Sequence, residues 1–182
     1  MHDSRGPGQA RRPDLAFRTV ETPIGDLMLA FDGDGALCMA EFADCVERTE
    51  RWLGRRPDHL QRAMLGGGMD AATAFAAYFA GDLRALDGIA IRLSGTPFQN
   101  EVWTALRKIP PGLTFGYGIF AERLGRPQAA RAVGHANGTN PLSIVVPCHR
   151  LVGAGGALTK YGGGLERKRW LLDHEARHAG QS

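Results

Sequence analysis

The chain has 182 residues, 43% hydrophobic and 23% charged, which excludes disordered and fibrous classes and leaves one sizeable domain or two small ones. No apolar run approaches the ~20 residues of a membrane-crossing helix, and the first twenty residues hold no apolar signal core. Only three cysteines occur (Cys38, Cys45, Cys148), which excludes a disulfide scaffold and points to a reducing, cytoplasmic setting.

The net charge of +3 is unevenly spread: residues 1–94 hold 11 Lys/Arg against 14 Asp/Glu, whereas residues 95–182 hold 11 against 5. Such polarity points to a polyanionic partner for the second half, nucleic acid first. Residues 1–14, with Gly6, Pro7, Gly8 and Pro13, read as a flexible leader. Phe17–Glu21, Leu27–Phe31 and Ala36–Phe42 are short apolar runs separated by Pro23–Gly25 and Asp32–Gly35, the pattern of a β-meander. Asp44 is placed to cap a helix through Trp52, ended by Gly54 and Pro57. Gly66-Gly67-Gly68 reads as a loop, Asp70 opens a helix over Ala71–Ala80 that Gly81 stops, and Ile89–Leu93 reads as a strand.

From Gly95 onward the pattern turns helical. Thr96-Pro97 supplies a cap and a first-turn proline for Phe98–Ile109, whose Phe98, Val102, Leu106 and Ile109 form one apolar stripe. Gly118–Leu124 and Pro127–Ala136, joined through Gly125-Arg126, have the shape of a helix-turn-helix. The second of these carries Gln128, Arg131 and His135 on one face. Ala129, Ala130, Ala132, Gly134 and Ala136 make the rest slim enough to approach a surface closely. Ser143–Val146 reads as a β-branched strand leading to Cys148, and a last helix spans Leu165–Ala176.

Cys148 is the candidate nucleophile, because neighbouring positive charge favours thiolate and His149 and Arg150 follow it directly. Adjacent residues of an extended segment point to opposite faces, so His149 reaches the sulfur only if the chain turns sharply or a water intervenes. The imidazole also needs a group to hold its tautomer. Glu175 lies on the face of Leu171 and Leu172, where an unpaired carboxylate is costly, and His149 is the most economical partner. Asp173 and Arg177 read as a solvated i,i+4 pair. Cys38 and Cys45 lack the short ligand spacing of a zinc site, so no metal is expected.

Ile144-Val145-Val146-Pro147-Cys148-His149-Arg150 resembles the active-site segment of O6-alkylguanine-DNA alkyltransferases, the methylated-DNA–protein-cysteine methyltransferases. Further matches fall in family order. They are Gly95–Gln99 with Val102-Trp103, Ile109-Pro110-x-Gly112-x-Thr114, Ala129–Gly134, Asn137-Gly138-x-Asn140-Pro141, Tyr161-x-Gly163-Gly164-Leu165 and Trp170–Glu175. The likeness is dense over residues 95–176 and looser over 17–94. It implies an α+β fold: a small N-terminal α/β domain with an antiparallel sheet (15–94), then a mostly helical, winged-helix-like domain with a helix-turn-helix (95–182).

The resemblance implies DNA repair by a single irreversible transfer from O6-alkylguanine in double-stranded DNA to Cys148, with O4-methylthymine a second candidate lesion. No cofactor and no membrane are implied, and a monomer is expected, with cooperative binding on DNA left open. By the same resemblance His149 takes the thiol proton through a water, Glu175 orients and charges His149, Asn140 braces the turn, and Tyr117 assists protonation of the leaving guanine. Backbone of Cys148, Leu151 and Gly162, with the Tyr161 side chain, lines the base pocket. Arg131 fills the gap left by the everted nucleotide, and Gln128, Ala129, Ala130, Ala132 and Tyr117 share the DNA face. Two positions depart from the pattern: Gly162 stands where many relatives carry serine or alanine, and Lys160 replaces a small or neutral residue. The main alternative is an alkyltransferase-like protein that binds the lesion without transfer, against which Cys148 speaks. A zinc-bearing methylation-responsive activator has no room in a fourteen-residue leader without cysteine. A Cys-His hydrolase would need an oxyanion site and a substrate cleft, and a pure DNA-binding module would bind without covalent change.

Overall fold

The computed structural model describes residues 15–54 and 69–180. The leader expected over 1–14 and the loop Gly66–Gly68 lie outside the described residues. Strands β1 (Ala16–Val20), β2 (Leu27–Phe31) and β3 (Leu37–Phe42) form the expected antiparallel meander, in register at Val20↔Leu27 and Leu27↔Phe42. The first turn closes through Gly25 at φ 109°, where the Thr22 hydroxyl donates to the Gly25 carbonyl at 2.5 Å. In the second, one Asp32 carboxylate oxygen accepts the backbone N–H groups of Asp34 (3.0 Å) and Ala36 (2.9 Å), and Arg92 pairs with both Asp32 and Asp34.

All six residues of β3 are buried, and its edge away from β2 is where the second half of the chain attaches. The register slips beside Cys38, where Phe31 pairs with Leu37 and Ala30 with Met39. The bulge turns both Leu37 and Ala40 toward that free edge. Leu37 takes Ile91 as a parallel partner and Ala40 takes Leu142. Ile89–Leu93 is therefore a one-residue bridge and not the expected strand: Leu37 N–H donates to Ala90 O (2.8 Å), Arg92 N–H donates to Leu37 O (2.9 Å), and the next stretch of edge belongs to Pro141–Ser143.

Helix α1 (Val46–Gly54) starts one residue later than expected. The Cys45 carbonyl accepts the first helical N–H groups, from Arg48 (3.0 Å) and Thr49 (3.2 Å), while the Asp44 carboxylate takes Arg167 (2.7 Å). Helix α2 (Met69–Ala80) buries Ala71, Phe75 and Tyr78 along one stripe and ends at Gly81, φ 113°. Helix α3 (Pro97–Leu106) carries the capping box of Thr96 and Gln99, which satisfies two orphan N–H groups reciprocally. It buries Val102 and Leu106, with Ile109 buried in the turn that follows.

The short strand β4 (Phe115–Gly116) leads into α4 (Tyr117–Arg123), and Gly125 at φ 70° reverses the chain. A single 3-10 turn, Pro127–Ala129, then opens α5 (Ala130–Gly138), an arrangement consistent with a helix-turn-helix. Trp103 Nε1 donates to Ala136 O (2.8 Å) and Gln99 Nε2 to Thr139 Oγ1 (2.9 Å), tying α3 to the end of α5. Strand β5 (Leu151–Val152) pairs in parallel with β4, and α6 (Leu165–His178) closes the fold. The result is the α+β class read from the sequence, a small antiparallel sheet followed by a helical region. Among the described residues no helix is long and apolar enough to cross a membrane.

Candidate active site

The segment expected as a strand over Ser143–Val146 is a buried turn. Asn140 makes it one. Its Nδ2 donates to Leu142 O (3.4 Å) and Val146 O (2.9 Å), its Oδ1 accepts Leu142 N–H (3.0 Å), and Val146 N–H returns to Leu142 O (2.8 Å). Ile144 is held at φ 71°, a left-handed conformation that a β-branched residue adopts only when its surroundings impose it, at about 1–3 kcal/mol. The β-branched run signals burial on all sides here, and among the described residues its sheet contact is Ser143 N–H donating to Ala40 O of β3 (2.8 Å).

Cys148, His149 and Arg150 continue as one 3-10 turn, so the chain does bend sharply at the nucleophile. Cys148 is 4% exposed, and burial pushes its thiol pKa up, opposed by a hydrogen bond with the Asn140 side chain and the charge of Arg48. His149 is buried against α6, where Nε2 meets Glu175 Oε1 at 2.9 Å. His149 Nδ1 has no partner among the described residues. Burial lowers the His149 pKa despite the facing carboxylate, so the imidazole is neutral and Nε2–H is the donor.

Glu175 is the hub of the site. Arg150 grips it through Nη2 to Oε1 (2.7 Å) and Nε to Oε2 (3.0 Å), the Tyr78 hydroxyl donates to Oε1 (2.9 Å), and Gly112 N–H donates to Oε2 (3.1 Å). Burial pushes the carboxyl pKa up, but His149 and Arg150 outweigh it and hold Glu175 well below the ordinary carboxylate range. The sequence assigned Glu175 to His149 alone and spent Arg150 on the thiol. The structure gives Arg150 to Glu175 as its charge partner, because a fully buried carboxylate needs a cation and not only a neutral imidazole. The solvated Asp173–Arg177 pair is also corrected: Arg177 Nε donates to the Asp173 carbonyl at 3.2 Å.

Around this core, Lys168 is fully buried and donates to Leu151 O (2.6 Å) and Thr159 O (3.0 Å), with burial lowering its pKa. Asn137 Nδ2 donates to Cys148 O (3.2 Å). The Tyr161 ring stands edge-on to His149, centroids 6.4 Å apart, and its buried hydroxyl has no partner among the described residues. Gly162 is exposed beside it and faces the guanidinium of Arg48. Cys148, His149, Glu175, Asn140, Leu151 and Tyr161 thus come together in one place.

The residues expected on the DNA face form a separate surface. Gln128, Arg131, Ala132 and His135 are exposed, while Ala129 and Ala130 are half-buried. Tyr117 is half-buried where α4 meets α5: a Cβ on Gly134 would stand 3.9 Å from its ring, ordinary packing distance. Lys160 is exposed on the loop before Tyr161.

The chain is 46% identical over 163 residues to the methylated-DNA–protein-cysteine methyltransferase of Salmonella typhimurium, covering 88% of this chain and 95% of that protein. It is 47% identical over 167 residues to the same-named protein of Mycolicibacterium paratuberculosis, covering 91% and 94%. The chain belongs to the methylated-DNA–protein-cysteine methyltransferase family. Residues 97–177 match the family model described as 6-O-methylguanine DNA methyltransferase, DNA binding domain. Among solved structures, Mycobacterium tuberculosis OGT in complex with DNA superposes with a TM-score of 0.75 at 41% identity, covering 90% of this chain and 94% of that one.

Several residues of this methyltransferase site escaped the sequence reading. Tyr78 lies 97 positions from Glu175 with no local motif to connect them. Asn137, read as part of the Asn137-Gly138-x-Asn140-Pro141 match, also supports the Cys148 carbonyl. Arg48 and Glu41 (2.6 Å apart) reach the active-site turn from the sheet half, Arg48 donating to Gly138 O (2.8 Å) and Asn140 O (2.9 Å). One signal was available: Lys168 and Glu175 are seven residues apart in one helix, so a single face of it carries two ionisable groups into the core.

Proposed function

We propose that this methylated-DNA–protein-cysteine methyltransferase repairs DNA by taking the alkyl group of O6-alkylguanine onto its own Cys148, once per molecule. The observation that carries the reading is a buried cysteine followed directly by a neutral histidine whose far nitrogen is held by an ionised glutamate. In this reading His149 Nδ1 receives the thiol proton through a bridging water, and Glu175 stabilises the imidazolium that forms. The thiolate attacks the alkyl carbon, an S–C bond forms, the C–O6 bond breaks, and the departing guanine takes a proton from the side of Tyr117. The thioether product explains single use. O4-methylthymine is the second candidate substrate.

The half-buried Tyr161, with the backbone of Cys148, Leu151 and Gly162, lines the pocket for an everted base. Gln128 of the 3-10 turn with Arg131 and Ala132 on the slim first turn of α5, and Ala129 and Ala130 beneath them, meet the duplex. Cytoplasmic, monomeric action without cofactor is part of the same proposal. So is the division into units at 15–94 and 95–182. A lesion-binding protein without transfer is disfavoured by Cys148 itself. The test is intact-protein mass spectrometry after incubation with duplex DNA containing O6-methylguanine. We expect a gain of about one methylene per chain, mapped to Cys148, and none in Cys148→Ala, which retains DNA binding. Binding of that DNA with no mass gain in the wild-type protein would favour the lesion-binding alternative.

A further inference from the structure

Three residues donate to one oxygen of Glu175. Oε1 accepts from His149 Nε2 (2.9 Å), Arg150 Nη2 (2.7 Å) and the Tyr78 hydroxyl (2.9 Å). His149 and Arg150 belong to the active-site turn, but Tyr78 comes from α2, on the other side of α6. The alkyl-transfer chemistry makes no use of it. Packing does not require it either, since a phenylalanine would fill the same volume between Phe79 and His174. The hydroxyl is nevertheless placed, at 1% exposure for the residue, on the same oxygen that holds His149. The Tyr78 carbonyl accepts His174 Nε2 at 2.8 Å, so one residue of α2 is fastened to two successive residues of α6. Burial and then the Glu175 charge hold the phenol pKa well above its ordinary value, so Tyr78 keeps its proton and acts only as a donor.

A hydrogen bond donated to an anionic oxygen disperses its charge and weakens it as an acceptor for every other donor. We propose that Tyr78 is a positioning residue for alkyl transfer, its hydroxyl fixing Glu175 Oε1 against His149 and weakening that oxygen as a proton acceptor. The imidazole is thereby kept as a neutral Nε2–H donor, with Nδ1 free to receive the thiol proton. This inference rests on the alkyl-transfer reading. Among the described residues the other charged or titratable groups facing the pair are Arg150 and Cys148 on the turn, Lys168 and His174 on α6, and Tyr161, whose ring stands edge-on to His149. Gly112 N–H completes Oε2. None of these groups is itself substituted in Tyr78→Phe.

The experiment compares the full-length wild-type protein with Tyr78→Phe, which keeps the ring and removes one oxygen. The first readout is the His149 Nε2–H proton resonance of the DNA-free protein, which needs no alkyl transfer. The second is the alkylation rate on O6-methylguanine duplex against pH. In Tyr78→Phe the stronger acceptor should move the Nε2–H resonance downfield. It should also move the acid limb of the rate profile to higher pH by about half a unit, since His149 then protonates more readily. An unmoved resonance or an unmoved acid limb overturns the proposal, whatever happens to the melting temperature. Should Tyr78→Phe fail to fold, 3-fluorotyrosine at position 78 keeps the hydroxyl and makes it a stronger donor. Both readouts must then move in the opposite direction. Failure of alkyl transfer in the wild type would strike the functional reading and leave the resonance shift standing as a separate result.

Discussion

The guanidinium of Arg48 occupies the space that a side chain on Gly162 would need. A Cβ built on Gly162 would lie 2.6 Å from Arg48 Nη1 and 2.7 Å from Nε, inside van der Waals contact. Arg48 is not free to swing away, because Glu41 and the carbonyls of Gly138 and Asn140 hold it. This accounts for glycine at position 162. Gly162→Ala should therefore cost about 1–3 kcal/mol of stability, as overpacking does. In an Arg48→Ala background the added cost of Gly162→Ala should shrink toward zero. Denaturant unfolding of the four proteins of this cycle measures the coupling, and equal costs in both backgrounds would show that the two residues do not compete for the space.

Glu175→Gln should damage stability as well as rate. The amide keeps the shape but leaves the buried Arg150 guanidinium without its counter-charge, a loss of about 3–5 kcal/mol for a buried pair. It also removes the anion that stabilises the His149 imidazolium. Replacing Arg150 by glutamine in the same molecule should restore part of the stability and none of the alkylation rate. Unfolding curves and single-turnover alkylation separate the two effects. A Glu175→Gln protein as stable as the wild type would contradict the Arg150–Glu175 pairing.

Acid should destabilise the fold in two stages. Burial depresses the pKa of both His149 and His174, so between those lowered values and the ordinary 6.5 the unfolded chain binds more protons than the native one. Stability is therefore full above about pH 6.5 and falls as pH drops below it. Glu175, depressed from 4.5, adds a second decline below about pH 4.5, where the unfolded carboxylate protonates and the native one does not. Melting temperatures from pH 7.5 to 4 check this, and a constant value between pH 7 and 5 would refute the first stage.

What could be read in the sequence was local or periodic. The meander, the Thr96 capping box and the two helices meeting at Gly125 follow from turn residues and spacing a few positions apart. Cys148, His149 and Glu175 were found because two are adjacent and the third sits on an apolar helical stripe. The failures share a cause. Ser143–Val146 has the composition of a strand, but its hydrogen bonds go to Asn140 and Leu142 beside it and to Ala40 and Glu41 of β3, which composition does not reveal. Ile89–Leu93 lost its ladder because another segment takes the same edge. Tyr78 and Arg48 were invisible as site residues because their roles depend on pairings that exist only after α1, α2 and α6 pack around the turn.

A substitution at Arg131 tests both whether its surface attracts DNA and whether it replaces an everted base. It is exposed on the first turn of α5 and, among the described residues, makes no hydrogen bond or ion pair, so its guanidinium is available to the duplex. If Arg131 only neutralised a phosphate, Arg131→Ala would weaken binding to all DNA alike and reduce the salt slope by about one. If it fills the gap left in the stack, its contribution appears when a paired base must be turned out, a cost of a few kcal/mol. Free O6-alkylguanine or a lesion in a single strand needs little unstacking. We expect Arg131→Ala to slow alkylation on duplex at least tenfold more than on the free base. Single-turnover rates on both substrates, with salt-dependent affinity on undamaged duplex as reference, make the comparison. An equal fractional loss on duplex and free base would remove the stack-filling role and leave Arg131 as one basic residue among those of the second half.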